Sequence, residues 1–323
     1  MKQTINKVRI TGELVKNGLE EFTTKKSGKA AIGGSLVLRT ADGSEHEVDF
    51  YSNKYKEDAN GNVLSEERYF YKEYLKAMQE LRDISKCTDG QKPDVISISD
   101  GMFTDNDFKG QNNKVVSSNK ISAKFINVVE PKDYDTTVLE AKFEVDGVIA
   151  KLEDEIEKDV PTGNKRVVIN HIATRQIKEG DKYIDAYEVD KIIPVRMTIK
   201  KELVEPFTTA GYYEGCYTKL SGVVVNTVET GFEIEEQAFG EPIKRPFKRT
   251  TRLNDVKSGS NVGTIYEHDL TDDIANQLIA KRKQKLIEVE NGVSSSSGSN
   301  SSAASSSTPA AAPPVMNPFA QSK

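Results

Sequence analysis

The sequence predicts a mainly β protein with two five-stranded barrels in tandem, followed by a helix and a disordered tail. Short segments that alternate apolar and polar residues fill most of the first 260 positions, a pattern typical of strands. A segment of the first half recurs in the second. From residue 293 onward the composition is almost wholly Ser, Ala, Pro, Gly and Asn, which cannot bury enough apolar surface to fold. The 323 residues suffice for about two domains.

The repeat relates residues 7–16 (KVRITGELVK) to residues 142–151 (KFEVDGVIAK). Lys, an aliphatic residue, Gly and Lys match at one offset of 135, and Gly28 and Gly163 keep that offset. A shared offset in two segments favours internal duplication over chance. We therefore divide the chain into a first barrel (1–132), a second barrel (133–262), a helical appendage (263–292) and a disordered tail (293–323).

The first half begins with three predicted antiparallel strands. Asp42-Gly43 is a pair favoured in tight hairpin turns, and Gly12 suits a bulge where a small sheet curls on itself. His46, Val48 and Phe50 fall on one face of the third strand. The three strands cover residues 7–22, 30–40 and 45–52.

An amphipathic helix is predicted next, capped by Ser65, with Glu66 and Glu67 in its first turn. Its apolar residues recur at steps of three or four, at Tyr71, Tyr74, Leu75, Met78 and Leu81. Two further strands, 94–99 and 120–129, flank a polar segment at 104–119 that we interpret as a loop.

The order of three strands, a helix and two strands is that of the oligonucleotide/oligosaccharide-binding (OB) barrel. The second half repeats it, with strands near 139–152, 166–175, 183–193, 218–228 and 249–256 and the helix position at 205–213. In the appendage, Thr271 is expected to cap a helix whose Ile274, Leu278 and Leu286 pack against the second barrel.

Three motifs belong to the first three strands: Asn6-Lys7-Val8-Arg9-Ile10-Thr11-Gly12-Glu13-Leu14, Ser27-Gly28-Lys29-Ala30-Ala31, which opens the second, and Val48-Asp49-Phe50-Tyr51. With them the first 55 residues or so resemble the single-stranded DNA-binding proteins of bacteria and their phages. The resemblance implies an OB barrel that binds single-stranded DNA during replication or recombination, without catalysis or cofactor. Two tandem barrels suggest a phage-encoded form, acting in the cytoplasm of a bacterial host.

The C-terminal residues suggest which proteins this chain binds. The family that the motifs resemble closes on an acidic tip ending in Pro-Phe, which docks replication and repair proteins. Here Pro318-Phe319 is present, but four residues follow it and the acidic residues are missing. The resemblance implies a partner-binding tail in which Met316, Pro318 and Phe319 contact replication or recombination proteins.

Candidate DNA contacts combine cations, which neutralise phosphates, with aromatic rings on which bases stack. The net charge of −5 excludes a polycation that binds by bulk charge, so the cations must be concentrated locally. In the first barrel the candidates are Arg9, Lys25, Lys26, Lys29, Arg39, Phe50, Tyr51, Lys54 and Tyr55. In the second barrel they are Arg166, Arg175, Tyr183, Tyr187 and Lys219. The densest basic patch of the chain is Lys244, Arg245, Phe247, Lys248, Arg249 and Arg252.

Two other functions stay open. In a structural or adaptor β-protein, such as a virion component, the barrels would bind protein and the basic residues would only face solvent. In a magnesium-dependent nuclease, Asp105 and Asp107, or Asp272 and Asp273, would hold the metal. The histidines and the two cysteines form no nucleophile or zinc motif, and no apolar run is long enough to span a membrane. We therefore predict no enzyme, no cofactor and no metal.

Overall fold

The computed structural model describes the chain in eight segments: 3–25, 27–58, 61–110, 112–179, 182–235, 239, 243–263 and 272–292. The predicted disordered tail, Lys26 and the predicted cap Thr271 lie outside these residues. None of the described helices is long and apolar enough to cross a bilayer.

The first barrel is a closed sheet. Its elements are β1 (Asn6–Asn17), β2 (Glu20–Thr23), β3 (Ala30–Arg39), β4 (Glu45–Asn53), β5 (Tyr55–Glu57), β6 (Val63–Glu67), α1 (Tyr69–Glu80), β7 (Val95–Lys109), β8 (Val115–Ser122) and β9 (Asn127–Val128). The first strand, β1, pairs with β3, which pairs with β4; β4 runs parallel to β8, and β7 joins β8 to the other side of β1. Closure leaves no edge between these five strands.

The second barrel closes in the same order. Its elements are β10 (Glu140–Glu157), β11 (Val160–Glu179), β12 (Lys182–Ile199), α2 (Lys201–Thr209), β13 (Tyr217–Glu235) and β14 (Ile243–Gly259), and α3 (Asp272–Glu290) follows. Here β10 pairs with β11 and β11 with β12; β12 runs parallel to β14, and β13 joins β14 to β10. Both halves are therefore OB barrels, with a helix between the third and fourth strands as predicted.

A glycine allows the first strand of each barrel to bend into the closed sheet. A Cβ on Gly12 would lie 2.7 Å from the carbonyl oxygen of Arg39. A Cβ on Gly147, which is its counterpart in the repeat, would lie 2.4 Å from the carbonyl oxygen of Asn170. Both approaches are closer than any side chain tolerates, so the repeated glycine is a requirement of the barrel.

Four predicted elements differ in the structure. The second helix, predicted over 205–213, spans Lys201–Thr209. The strand predicted over 7–22 is interrupted at Gly18 and Leu19, and β2 continues beyond this break along the same partner strand, β3. Ser65 does not cap α1; it lies in β6, and the helix begins at Tyr69 without a side-chain cap. The segment 104–119 is not a loop, because its residues form the β7–β8 ladder out to Lys109 and Val115.

The barrels share one continuous sheet, since β1 pairs antiparallel with β10 from Asn6 opposite Val145 to Thr11 opposite Glu140. The hairpins of the fourth and fifth strands project beyond each barrel; we call residues 104–120 the first arm and residues 224–254 the second arm. Each arm reaches the other barrel. The amide of Asn119 donates to the carbonyl oxygen of Pro194 at 2.8 Å, and the amide of Asn226 donates to that of Glu45.

Helix α3 lies against both barrels. Ile274 and the buried Leu278 pack on Ile172 and Ile192 of the second barrel, which confirms the prediction for two of its three residues; Leu286 is not part of this cluster. Arg282 on the same helix donates to Asp107 of the first arm. The appendage therefore joins the first arm to the second barrel.

Candidate nucleic-acid interface

The predicted cations of the first barrel are mostly paired with carboxylates. Two glutamates reach them from the β5–β6 hairpin: Glu57 lies 2.8 Å from Lys29, and Glu67 lies 3.7 Å from Lys54. On the neighbouring ladder, Arg39 and Glu45 are 2.7 Å apart. Since each of these charges has a partner, a phosphate would have to displace a carboxylate to bind there.

The predicted aromatic residues of the first barrel divide between core and surface. Phe50 is in the core, with 2% of its surface exposed and its ring edge-on to Tyr74, so the prediction that it stacks on a base is wrong in this structure. Tyr51 is 37% exposed; its hydroxyl donates to Asn53 at 2.6 Å, and burial raises its pKa. Tyr55 is half-buried, with the ammonium of Lys54 5.6 Å from its ring centre.

Arg9 lines a groove over the junction of the two barrels. The groove has a volume of about 380 Å³, and Lys7, Lys142 and Lys257 also line it. Arg9 lies directly opposite Lys142 in the β1–β10 ladder, so two like charges are held side by side. Lys25 is exposed in the turn before β3, and its predicted neighbour Lys26 is outside the described residues.

The predicted cations of the second barrel are also paired. Three carboxylates hold them: Glu155 lies 3.2 Å from Arg166, Glu188 lies 2.7 Å from Arg175, and Glu144 lies 2.7 Å from Lys219. The hydrogen bond to Glu144 raises the pKa of Lys219. Of the predicted tyrosines, Tyr187 directs its hydroxyl to Gln3 at 3.4 Å, and the side chain of Tyr183 is not among those described.

The basic patch of residues 244–252 lies on β14, in the second arm. Within the described part of the chain, no carboxylate is within ion-pair distance of Lys244, Lys248 or Arg249. Arg249 lies 5.7 Å from the ring centre of Phe247, and Arg252 donates to the side-chain oxygen of Asn226 at 3.1 Å. This patch is therefore the largest group of available cations among the predicted candidates.

The ladder divides the patch between two faces of the arm. Successive strand residues point to opposite sides, and residues directly opposite each other share a side. Because β13 and β14 pair even with even and odd with odd, we name the two sides the even face and the odd face. Lys244, Lys248 and Arg252 belong to the even face, and Arg245, Phe247 and Arg249 belong to the odd face.

The even face also carries exposed apolar residues that the sequence analysis missed. Phe232 is 65% exposed and lies opposite Pro246 between two of the cations; Val228 and Ile234 are exposed on the same side. The signal that could have found them is the alternation along 226–234, once these residues are placed in a hairpin with 244–252.

The acidic pair Asp105 and Asp107 is occupied by cations of the protein itself. Lys191 lies 2.8 Å from Asp105, Lys285 also contacts Asp105, and Arg282 contacts both carboxylates. Burial raises the pKa of Asp105, but the hydrogen bonds from Lys191 and Lys285 outweigh it and lower the pKa to about 2. Cations already fill the positions that a magnesium ion would need.

The chain matches the family model described as YorF over residues 4–292. It belongs to the YorF family. Comparison with curated proteins finds no match for this YorF chain. Among solved structures, a single-stranded DNA-binding protein from Thermus aquaticus is 12% identical with a TM-score of 0.44, over 80% of this chain and 93% of that one. A deletion mutant of that protein is also 12% identical, with a TM-score of 0.43 over 81% of this chain and 96% of that one. A replication protein A heterotrimer bound to single-stranded DNA is 10% identical, with a TM-score of 0.21 over 87% of this chain and 53% of that one.

Proposed function

We propose that this protein binds single-stranded DNA and covers strands exposed during replication or recombination, in a phage context and without catalysis. The observation that carries the proposal is the second arm. Its cations Lys244 and Lys248 have no carboxylate partner in the described structure and stand beside exposed apolar side chains.

The physical basis is the difference between available and paired cations. A cation that neutralises a phosphate releases a counterion, which is the main source of non-specific affinity. A paired cation such as Arg175 must first lose its carboxylate; although an exposed pair is worth only about 0–1 kcal/mol, the freed carboxylate then repels the phosphate. An aromatic face adds about 1–3 kcal/mol for each base stacked on it.

A second candidate, the structural or adaptor β-protein, is favoured by the outward face of β4. Glu45, Glu47 and Asp49 follow one another on that face, at alternate positions of the strand. Arg39 pairs with Glu45 and Lys120 pairs with Asp49, so the exposed Glu47 is the carboxylate of this row that a cationic protein surface would meet. In this function the second arm would also contact protein.

In this proposal the tail tethers partner proteins. Met316, Pro318 and Phe319 follow a Ser/Ala-rich sequence of about 30 residues, and for such a composition we expect a reach on the order of 30 Å. The tail can therefore present these residues to replication or recombination proteins while the barrels hold DNA.

The test is fluorescence anisotropy of the full chain with labelled oligo-dT and with a duplex of equal length. If four phosphates are neutralised, the affinity for oligo-dT should fall about fiftyfold between roughly 50 and 200 mM salt, since log K drops by about 0.7 per phosphate for each decade of salt. Preference for the duplex, or binding independent of salt, would refute the proposal and favour the adaptor. Cleavage of the strand on adding magnesium would refute the absence of catalysis.

A further inference from the structure

The repeat relates the two arms residue by residue. Val8 pairs with Gly101 of β7, and Phe143, the counterpart of Val8, pairs with Gly222 of β13. Counting outward from these two glycines, Asp105 of the first arm corresponds to Asn226 of the second. The face of the first arm that carries Asp105 and Asp107 is therefore the counterpart of the even face.

On the first arm this face is covered. Helix α3 lies over it, and Arg282 contacts Asp105 and Asp107, whose side chains are 5% and 1% exposed. Lys285 of α3 and Lys191 of β12 also bind Asp105. A cationic stretch of helix thus rests on an acidic sheet face.

On the second arm the corresponding face is open and its charge is reversed. The even face carries no acidic residue between positions 226 and 234 or between 244 and 252. Its cations recur every fourth residue along β14, and every side chain on it outward from position 228 is exposed. These residues are Val228, Thr230, Phe232 and Ile234 on β13, and Lys244, Pro246, Lys248, Thr250 and Arg252 on β14.

The odd face differs in charge. The ladder places Glu229 opposite Arg249 and Glu233 opposite Arg245, so each odd-face cation has an acidic residue as its cross-strand neighbour. Phe247 packs its ring against Gly231, where an added Cβ would lie 2.8 Å from the ring. This ring therefore presents one side to the arm itself.

We propose that the even face of the second arm is a docking surface for one segment of single-stranded DNA, at the position that α3 holds on the first arm. The phosphates meet Lys244, Lys248 and Arg252, and a base stacks on Phe232. The inference rests on the proposed function and adds to it that the two barrels are not equivalent, because α3 closes this surface on the first arm. A polyanion is favoured as the occupant because the face carries three cations and no acidic residue between these positions.

The experiment compares two variants that remove the same charge from the same strand. Lys244→Ala with Lys248→Ala changes the even face, and Arg245→Ala with Arg249→Ala changes the odd face. All four side chains are exposed, so both variants should keep the far-ultraviolet circular dichroism and melting temperature of the parent. With the full chain and labelled oligo-dT, the even-face pair should weaken binding about tenfold or more and the odd-face pair less than about threefold.

A third variant distinguishes base stacking at this site from general attraction between charges. Phe232→Ala leaves the charge unchanged and should weaken oligo-dT binding at least about fivefold if a base stacks there. Equal losses from the two charge pairs, or no loss from Phe232→Ala, would overturn the inference while leaving the DNA-binding function in place. If the parent protein does not bind oligo-dT but binds poly-glutamate through the even face, both the DNA-binding function and this inference are refuted. The surface would then be assigned to an acidic protein.

Discussion

Val8 lies directly opposite Phe143 in the ladder that joins the two barrels, and the two residues are also counterparts in the internal repeat. A residue that pairs with its own counterpart marks a local two-fold axis. Each arm also reaches the other barrel through an asparagine amide, but the two asparagines are not counterparts, because Asn119 lies on β8 and Asn226 on β13. The two-fold relation is therefore carried by the shared β1–β10 ladder and not by these arm contacts.

This relationship predicts that the barrels unfold together. Phe143 is buried at the axis, with its ring 6.0 Å from that of Phe103 of the first barrel. Phe143→Ala should lower the free energy of unfolding by about 3–5 kcal/mol. Urea unfolding, followed by circular dichroism and by tyrosine fluorescence, should show one transition that shifts as a whole.

Phe125→Ala is the control, since that ring is half-exposed and its loss should cost less than about 1 kcal/mol. Two separate transitions, with only one moved by Phe143→Ala, would show that the barrels are independent and that the shared ladder does not couple them.

A second prediction concerns the ion pairs under α3. Arg282→Ala leaves the carboxylates of Asp105 and Asp107 buried with fewer partners, which should cost about 3–5 kcal/mol of stability. Lys283→Ala, one residue along on the exposed side of the helix, is the matched control and should cost under about 0.5 kcal/mol. Thermal unfolding of the two variants measures the difference.

The pairing can be separated from simple loss of packing by a double variant. Asp107→Asn removes the charge that Arg282 neutralises, so the double variant Asp107→Asn with Arg282→Ala should be more stable than the sum of the two single losses predicts. Additive losses would indicate that Arg282 acts through its aliphatic stem alone.

The order of elements could be predicted because the barrel strands bury one face. Val8, Ile10 and Leu14 alternate as a half-buried strand requires, and α1 follows from apolar residues at steps of three or four. The arms could not be recognised in the same way. In 104–119 the residues that become buried are polar, Asp105 and Asp107 among them, because the covering helix contributes cations instead of an apolar face.

The candidate site was only partly predictable for a related reason. Residue types show that Lys29 and Lys244 are cations, but pairing depends on which strand lies beside them. Lys29 meets Glu57 because the unpredicted β5–β6 hairpin folds back on the barrel. Phe50 alternates with exposed residues as a core residue does, and only the closed barrel decides which face of its strand is inside.

A third prediction compares a paired with an available cation. Arg175→Ala should weaken oligo-dT binding less than Lys248→Ala does, because Arg175 already has Glu188 2.7 Å away. The salt dependence should distinguish the two variants more clearly. The slope of log K against log salt should become shallower by about 0.7 for Lys248→Ala and by much less for Arg175→Ala. Equal slopes would mean that ion pairing within the protein does not govern which cations meet phosphate.

The tail gives a fourth prediction. Residues 293–323 carry only one side-chain charge, that of Lys323, so they contribute little to phosphate binding. Truncation after Gly292 should leave the affinity for oligo-dT within about twofold, a change below about 0.5 kcal/mol. The measurement is anisotropy on both forms. A larger loss would place the tail on the DNA.

His46 provides a pH test of the first barrel. It is buried, one ring nitrogen lies 3.2 Å from the hydroxyl of Thr40, and burial lowers its pKa to about 4 although the nearby Asp42 carboxylate opposes the shift. The unfolded chain, with an ordinary histidine pKa of about 6.5, therefore binds a proton more readily than the folded one. The free energy of unfolding should therefore decrease by up to about 3 kcal/mol as the pH drops from about 6.5 to about 4. Below that pH His46 causes no further loss, because it is protonated in both states.

His46→Gln tests that assignment, because an amide can still hydrogen-bond Thr40 but does not titrate. Urea unfolding at intervals between about pH 7 and about pH 4.5 should show a steep loss of stability in the parent and a shallow one in the variant. Asp105 does not interfere, since a carboxyl with its pKa lowered to about 2 loses its contribution only below the ordinary aspartate range. If parent and variant lose stability in parallel, other groups set the acid limit of the fold and the burial of His46 does not.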